Sequence, residues 1–148
     1  MLLVSRRPFG VVVMEARDAI TSIVIVLLGG GLGAVARWKL SMLVQEKCGC
    51  MFPLGTLVVN VLGSFLLGFV LGAAKFYGVF TREQRLFLAT GFAGGFTTFS
   101  TFSYETFTLL SEMPLYAALN IVANVLAGLA AVYLGMVAAG VLYGRTMG

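Results

Sequence analysis

The sequence contains no histidine and, in 148 residues, only two cysteines, three prolines and one tryptophan. Without histidine, the usual metal ligand, general base and proton relay is gone. Two cysteines cannot build a disulfide framework. The stretch Cys48-Gly49-Cys50 reads as two small residues in a loop, with a metal or redox pair as the alternative. Charge is also scarce: 11% of residues are charged, against roughly 25% in an average soluble domain. So little charge would leave a soluble protein of this size with a largely apolar surface, and disorder requires the opposite composition. The chain shows no nucleophile–base pair, metal-ligand set or phosphate loop, so an enzyme is not expected. The net charge of +4 is scattered between apolar stretches, which suits membrane flanks and not a nucleic-acid footprint.

What the sequence does have is hydrophobicity, at 59% of residues. A bilayer core of ~30 Å needs about 20 apolar residues in a helix. Four charge-free stretches meet that need, at 19–36, 51–74, 86–104 and 113–144, and every one of the ten basic and six acidic residues falls outside them. Only helices can satisfy their backbone inside lipid over such lengths, because barrel strands are shorter and alternate in polarity. The expectation is an all-α membrane protein with four transmembrane helices. Residues 1–18 form an N-terminal extension and 19–148 the four-helix transmembrane domain. Met14 as the true start and a cleavage site at Ala34-Val35-Ala36 are the other readings of this end. Pro53 and Pro114 sit at helix starts, where a missing N–H costs little.

Basic residues orient the spans. Arg6, Arg7, Arg17, Lys75, Arg82, Arg85 and Arg145 share one side, and Arg37, Lys39 and Lys47 the other. This places both termini in the cytoplasm. A start at Met14 weakens the bias, and a weakly biased chain can insert in both orientations.

The third stretch departs from a plain lipid-facing helix. Six of the twelve phenylalanines lie between Phe87 and Phe107, interleaved with Thr97, Thr98, Ser100, Thr101, Ser103, Thr106 and Thr108. Gly94-Gly95 followed by Thr97-Thr98 is poor helix-forming sequence. A break there would free carbonyls that need protein, water or an ion. The competing reading is a tight helix crossing through Gly91-x-x-x-Gly95. Phe99 and Phe102 share one helix face. Their positive ring edges would favour an anion without formal charge; the alternative is lipid-facing or core packing. Thr56, Asn60 and Ser64 share a face in the second stretch, and Asn120 and Asn124 are four apart in the last. Amides at membrane depth are either glue between helices or the lining of a path; three of them beside a hydroxyl-rich helix favour a lining.

These residues resemble the CrcB/Fluc fluoride channel family. The matching stretches are 29–38 (Gly-rich, ending Arg37-Trp38), 55–64 (Gly55-Thr56 to Gly63-Ser64) and 94–105 (Gly94-Gly95-Phe96-Thr97-Thr98-Phe99 through Glu105). The resemblance covers residue 19 to the C-terminus. It implies an antiparallel, dual-topology homodimer with a third helix broken mid-membrane at Gly94 to Thr97. It further implies that the carbonyls of Gly94 and Thr97 from two copies hold a structural Na⁺, with no organic cofactor. Phe99 and Phe102 would line the fluoride path, Asn60 would present a donor, Ser100 and Thr101 would form a polar track, Glu105 would end it, and Arg37 would draw anions to a vestibule. Asn120 and Asn124 stand where the family often carries Tyr or Ser.

The function implied is a passive channel that exports fluoride, in a multi-pass protein of the bacterial inner (plasma) membrane. Its partners would be fluoride, lipid and a second copy, and not nucleic acid. A small-anion secondary transporter and a non-transporting structural membrane protein are the alternatives.

Overall fold

A computed structural model describes residues 9–143, and every described element is helical. Arg6, Arg7 and Arg145, with much of the orienting charge, lie outside the described residues. Three helices are long and apolar enough to cross a membrane: α1 (Phe9–Cys48), α2 (Leu54–Tyr77) and α6 (Pro114–Tyr143). Between α2 and α6 the chain is assembled from pieces. These are α3 (Arg82–Arg85), a π-helical run (Leu86–Ala93), α4 (Gly94–Phe96) and α5 (Phe99–Glu112).

α1 runs on past the apolar stretch, through Arg37-Trp38-Lys39 to Cys48. Leu, Met, Gln, Glu and Lys follow that polar triplet, and all are good helix formers. Lys39 lays its ammonium 4.8 Å from the Trp38 ring centre, the posture of an interface anchor. α2 begins after Pro53, and Pro114 is the first residue of α6. Thr81 starts α3 with a capping box: its hydroxyl accepts from the Gln84 N–H (3.3 Å), and the Gln84 side chain accepts from the Thr81 N–H (2.8 Å).

Small residues hold the helices together. α2 packs along α6, and α1 packs along the 86–96 stretch. A Cβ on Gly135 of α6 would collide with the Phe65 carbonyl of α2, and a Cβ on Gly95 would collide with the Gly30 carbonyl of α1. Backbones this close gain dispersion contact that lipid tails cannot match. The largest fully buried side chains are only Val59, Val70 and Asn120. Large apolar residues such as Leu27, Leu126 and Leu129 face outward, as a lipid-solvated surface requires.

One expectation is corrected. Cys48 and Cys50 are not two independent loop residues, because their sulfurs are bonded to each other. Gly49 turns the chain with φ +58°, bringing the two Cα atoms within 5.1 Å, inside bridging range. No cluster of three potential metal-ligating side chains occurs among the described residues.

Close packing makes a testable distinction among the glycines. Gly95→Ala is expected to lower stability by about 1–3 kcal/mol through overpacking, read as the thermal unfolding midpoint in detergent. Gly31, where an added Cβ meets nothing within 4 Å, should accept Ala without loss. Equal effects at the two positions would contradict the packing assignment.

Candidate functional site

The helical path stops after Phe96. Thr97 (φ −90°, ψ 158°) and Thr98 (φ −148°, ψ 114°) are both extended, and α5 starts at Phe99. Gly94 itself is helical (φ −63°, ψ −39°). Gly95 serves the close crossing with α1, where a Cβ would collide with the Gly30 carbonyl, while the threonines carry the interruption. The π-helical run just before it adds a second departure from α geometry, of a kind common at functional sites.

An interrupted helix leaves backbone groups that must be satisfied. A continuous helix would pair the Thr98 N–H with the Gly94 carbonyl. Here the Thr98 N–H donates to Asn60 Oδ1 at 2.8 Å, and Asn60 Nδ2 donates to the Thr98 carbonyl at 3.3 Å. One carboxamide from α2 thus replaces the lost bond of the Thr98 N–H and adds a donor to the carbonyl that opens α5. The Thr98 hydroxyl caps α5, accepting from the Thr101 N–H at 3.2 Å. The Thr97 hydroxyl donates back to the Ala93 carbonyl at 3.1 Å. Gly63 makes room, since a Cβ there would collide with Thr97 Cγ2.

From Asn60 a directed chain of amides runs into α6. Asn60 Nδ2 donates to Asn124 Oδ1 (2.9 Å), Asn124 Nδ2 to Asn120 Oδ1 (2.9 Å), and Asn120 Nδ2 to Thr106 Oγ1 (2.9 Å). Thr106 Oγ1 then donates to the Phe102 carbonyl at 2.7 Å. Each donor and acceptor is paired, which fixes the amide orientations in a low-dielectric interior.

A cleft of about 330 Å³ opens against the break. It brings together Asn60, Gly94, Thr97, Phe99, Phe102 and Asn124, with Ser64 and Thr98 beside them. The Phe99 and Phe102 rings lie 5.6 Å apart and tilted by 51°. Phe99 is 79% exposed in the single chain, so the cleft lacks a wall on that side.

The other residues singled out by sequence lie elsewhere. Asn120 is fully buried behind the cleft, joining α6 to α5. Ser100 and Thr101 are exposed at the start of α5, within 3.3 Å and 3.0 Å of the Thr98 hydroxyl. Arg37 is half-buried, and its Nη1 donates to the Thr97 carbonyl at 3.3 Å. Glu105 accepts from the buried Thr56 hydroxyl at 2.8 Å, and its Oε2 is buried without a hydrogen-bond partner. Glu105 borders a second cavity of about 290 Å³ with Gln45 and Tyr104. Sequence reasoning placed Thr56 on the Asn60 face but not against Glu105. It missed Gln45, a lone polar residue near a helix end that carries no periodic signal.

For a cation, the available ligands are carbonyl oxygens, the donor type that hard ions prefer. The break leaves the Gly94 carbonyl without its helical donor, and this fits. The Thr97 carbonyl faces the Arg37 guanidinium, so a cation there would meet a positive charge. For an anion, the lining offers the Ser64 hydroxyl and ring edges without a formal charge, while the Asn60 and Asn124 N–H groups, expected to donate to the path, are already spent on Thr98, Asn124 and Asn120. Nothing in this set transforms a substrate; the arrangement suits passage of an ion.

Long apolar helices around a largely apolar cleft that carries a few amide and hydroxyl groups are those of a membrane protein suited to passing an ion. Residues 24–136 match the family described as CrcB-like protein, Camphor Resistance (CrcB), and the chain belongs to that family. It is 56% identical over 119 residues to the fluoride-specific ion channel FluC of Pyrococcus furiosus, covering 79% of this chain and 94% of that one. The FluC 1 channel of Methanosarcina acetivorans is 49% identical over 119 residues (80% and 90% covered). The Geobacter sulfurreducens FluC is 46% identical over 120 residues (80% and 97% covered).

Asn120 separates a structural amide from a path-lining one. Asn120→Ala leaves Asn124 Nδ2 with only the Asn120 backbone carbonyl (3.0 Å) and removes the side-chain donor to Thr106, and should cost about 1–3 kcal/mol. The check is an unfolding midpoint in detergent; an unchanged midpoint would remove Asn120 from the network.

Proposed function

We propose that this chain forms a passive, fluoride-selective channel that carries fluoride out of the cytoplasm across the plasma membrane. The carrying observation is the cleft itself, where the Asn60 amide and the Phe99–Phe102 ring pair meet at a helix interruption. The channels named for fluoride among its relatives share 46–56% identity with it and are matched over nearly their whole length.

Fluoride is small and strongly hydrated, so it must lose water one hydrogen bond at a time. Neutral donors replace those bonds without trapping the ion. The Thr101 hydroxyl accepts from Thr98, which leaves its own proton for an anion. Phe99 and Phe102 offer positive ring edges as the next contact. Conduction needs sites that bind strongly enough to admit the ion and weakly enough to release it. A larger halide gains less from the same donors.

The reading extends to a fourth span, formed by the pieces on either side of Thr97-Thr98, and to an antiparallel dimer. A cleft with a polar floor and an open side is costly against lipid, and a second copy supplies the missing wall. A structural Na⁺ at the dimer centre would be held by the Gly94 and Thr97 carbonyls of both copies and would neutralise their partial negative charge. For Thr97 to take part, the Arg37 guanidinium must release that carbonyl.

Fluoride efflux from proteoliposomes, followed with a fluoride electrode, tests the function. Efflux independent of H⁺ and Na⁺ gradients is expected, and dependence on either gradient would favour a coupled transporter. Phe102→Ile should abolish efflux with the oligomer intact; full efflux from this variant would defeat the assignment of the rings. Site-directed cross-linking tests the dimer. Contacts formed only between parallel subunits would contradict the antiparallel arrangement.

A further inference from the structure

The proposed pathway makes no use of Cys48-Gly49-Cys50, although the structure ties this loop to the far end of the polar site. Gln45 is the tie. Its Nε2 donates to the Cys50 carbonyl (2.7 Å) and to the Phe52 carbonyl (3.1 Å), and its Oε1 accepts from the Gly55 N–H (3.1 Å). One side chain therefore binds the cysteine loop to the first turn of α2. Gly55 is seated so closely on α1 that a Cβ would collide with the Ser41 carbonyl. The next residue, Thr56, is buried and donates its hydroxyl to Glu105 at 2.8 Å. Gln45, Met51 and Pro53 from this region and Glu105 from α5 line one cavity. Changes in the loop thus reach the Glu105 carboxylate through one packed turn.

We propose that Cys48–Cys50 is a thiol–disulfide exchange site that sets the geometry of the Glu105 end of the site. Its substrates are small dithiols and their oxidised forms. Cys48 is exposed and Cys50 half-buried, so an incoming thiolate attacks the Cys48 sulfur. The S–S bond breaks, Cys50 leaves as a thiolate and takes a proton from water. The second thiol of the reductant then attacks the mixed disulfide, releasing Cys48 as a thiol and the reductant as its cyclic disulfide. Two electrons and two protons pass to the protein, and a disulfide oxidant reverses the sequence. With the bond intact, the Cys50 carbonyl is held where Gln45 reaches it. With the bond broken, the loop beyond Gly49 loses its covalent closure. The Gln45 bridges loosen and the Gly55–Thr56 turn follows. In the antiparallel dimer one copy carries this loop outside the cytoplasm, where disulfides persist, and its partner carries it inside, where thiols are kept reduced.

The effect on flux rests on the channel reading; the effect on the loop does not. The experiment uses the full chain in liposomes, treated with dithiothreitol, with three readouts: maleimide labelling, hydrogen exchange at the Gly55 and Thr56 amides, and fluoride efflux. The expected result is two new labelled thiols, exchange at Gly55 faster by about tenfold and efflux lower by about threefold. The double variant Cys48→Ser/Cys50→Ser should behave as the reduced protein and ignore dithiothreitol. Failure of the reagent to expose thiols in the folded protein overturns the exchange site. Complete reduction without faster exchange, or without a change of efflux in a conducting protein, overturns the coupling to Glu105. A dithiothreitol response in the double variant also overturns the proposal. If neither redox form conducts fluoride, the channel reading fails, and exchange at Gly55 alone decides the fate of the lock.

Discussion

The structure depends on the hydrogen bonds between the Asn60 carboxamide and the backbone of Thr98. Inside a membrane no water is at hand for an interrupted helix, and each unsatisfied backbone group costs several kcal/mol. Asn60 is the right size and polarity to take over the Thr98 N–H and also to donate to the adjoining Thr98 carbonyl, because it carries a donor and an acceptor on one planar group. Without it, Thr97 and Thr98 would have strong cause to return to helical geometry. The cleft would then close, and the Gly94 carbonyl would regain a helical donor.

Other features serve that same arrangement. Asn124 and Asn120 extend the hydrogen-bond chain and hold Asn60 in one orientation. The glycine contacts bring α1, α2 and α6 near enough for short polar side chains to span the gaps. The result is a polar site made without ionised groups at its centre. Arg37 and Glu105 flank the break from two sides, one on the Thr97 carbonyl and one on Thr56. Formal charge is thus kept to the margins of the cleft.

Much of this was legible in the sequence because lipid imposes a strict grammar. Charge-free runs near twenty residues long mark the long helices, and the helical ends at Tyr77 and Tyr143 fall close to the edges of those runs. The Phe/Thr pattern marked the unusual segment, and helical spacing put Asn60 and Ser64 on one face. The parts that were not legible depend on three-dimensional approach. Gly94-Gly95 reads equally as a breaker or a packing surface, and only the seat of Gly30 against Gly95 decides it. The π-helical run at Leu86–Ala93 has no sequence signature of its own. The Thr56–Glu105 pair spans 49 positions, beyond any local pattern. Cysteine count alone could not bond Cys48 to Cys50, since that depends on the left-handed turn at Gly49.

The most direct test of the account is Asn60→Leu, which keeps the branched shape and the number of side-chain heavy atoms and removes both hydrogen-bonding groups. Fluoride efflux from liposomes and hydrogen exchange at the Thr98 amide are measured together on a protein shown to be folded and oligomeric. The account predicts that efflux is lost and that the Thr98 exchange rate changes. Efflux and Thr98 exchange both equal to those of the unmodified protein would contradict it.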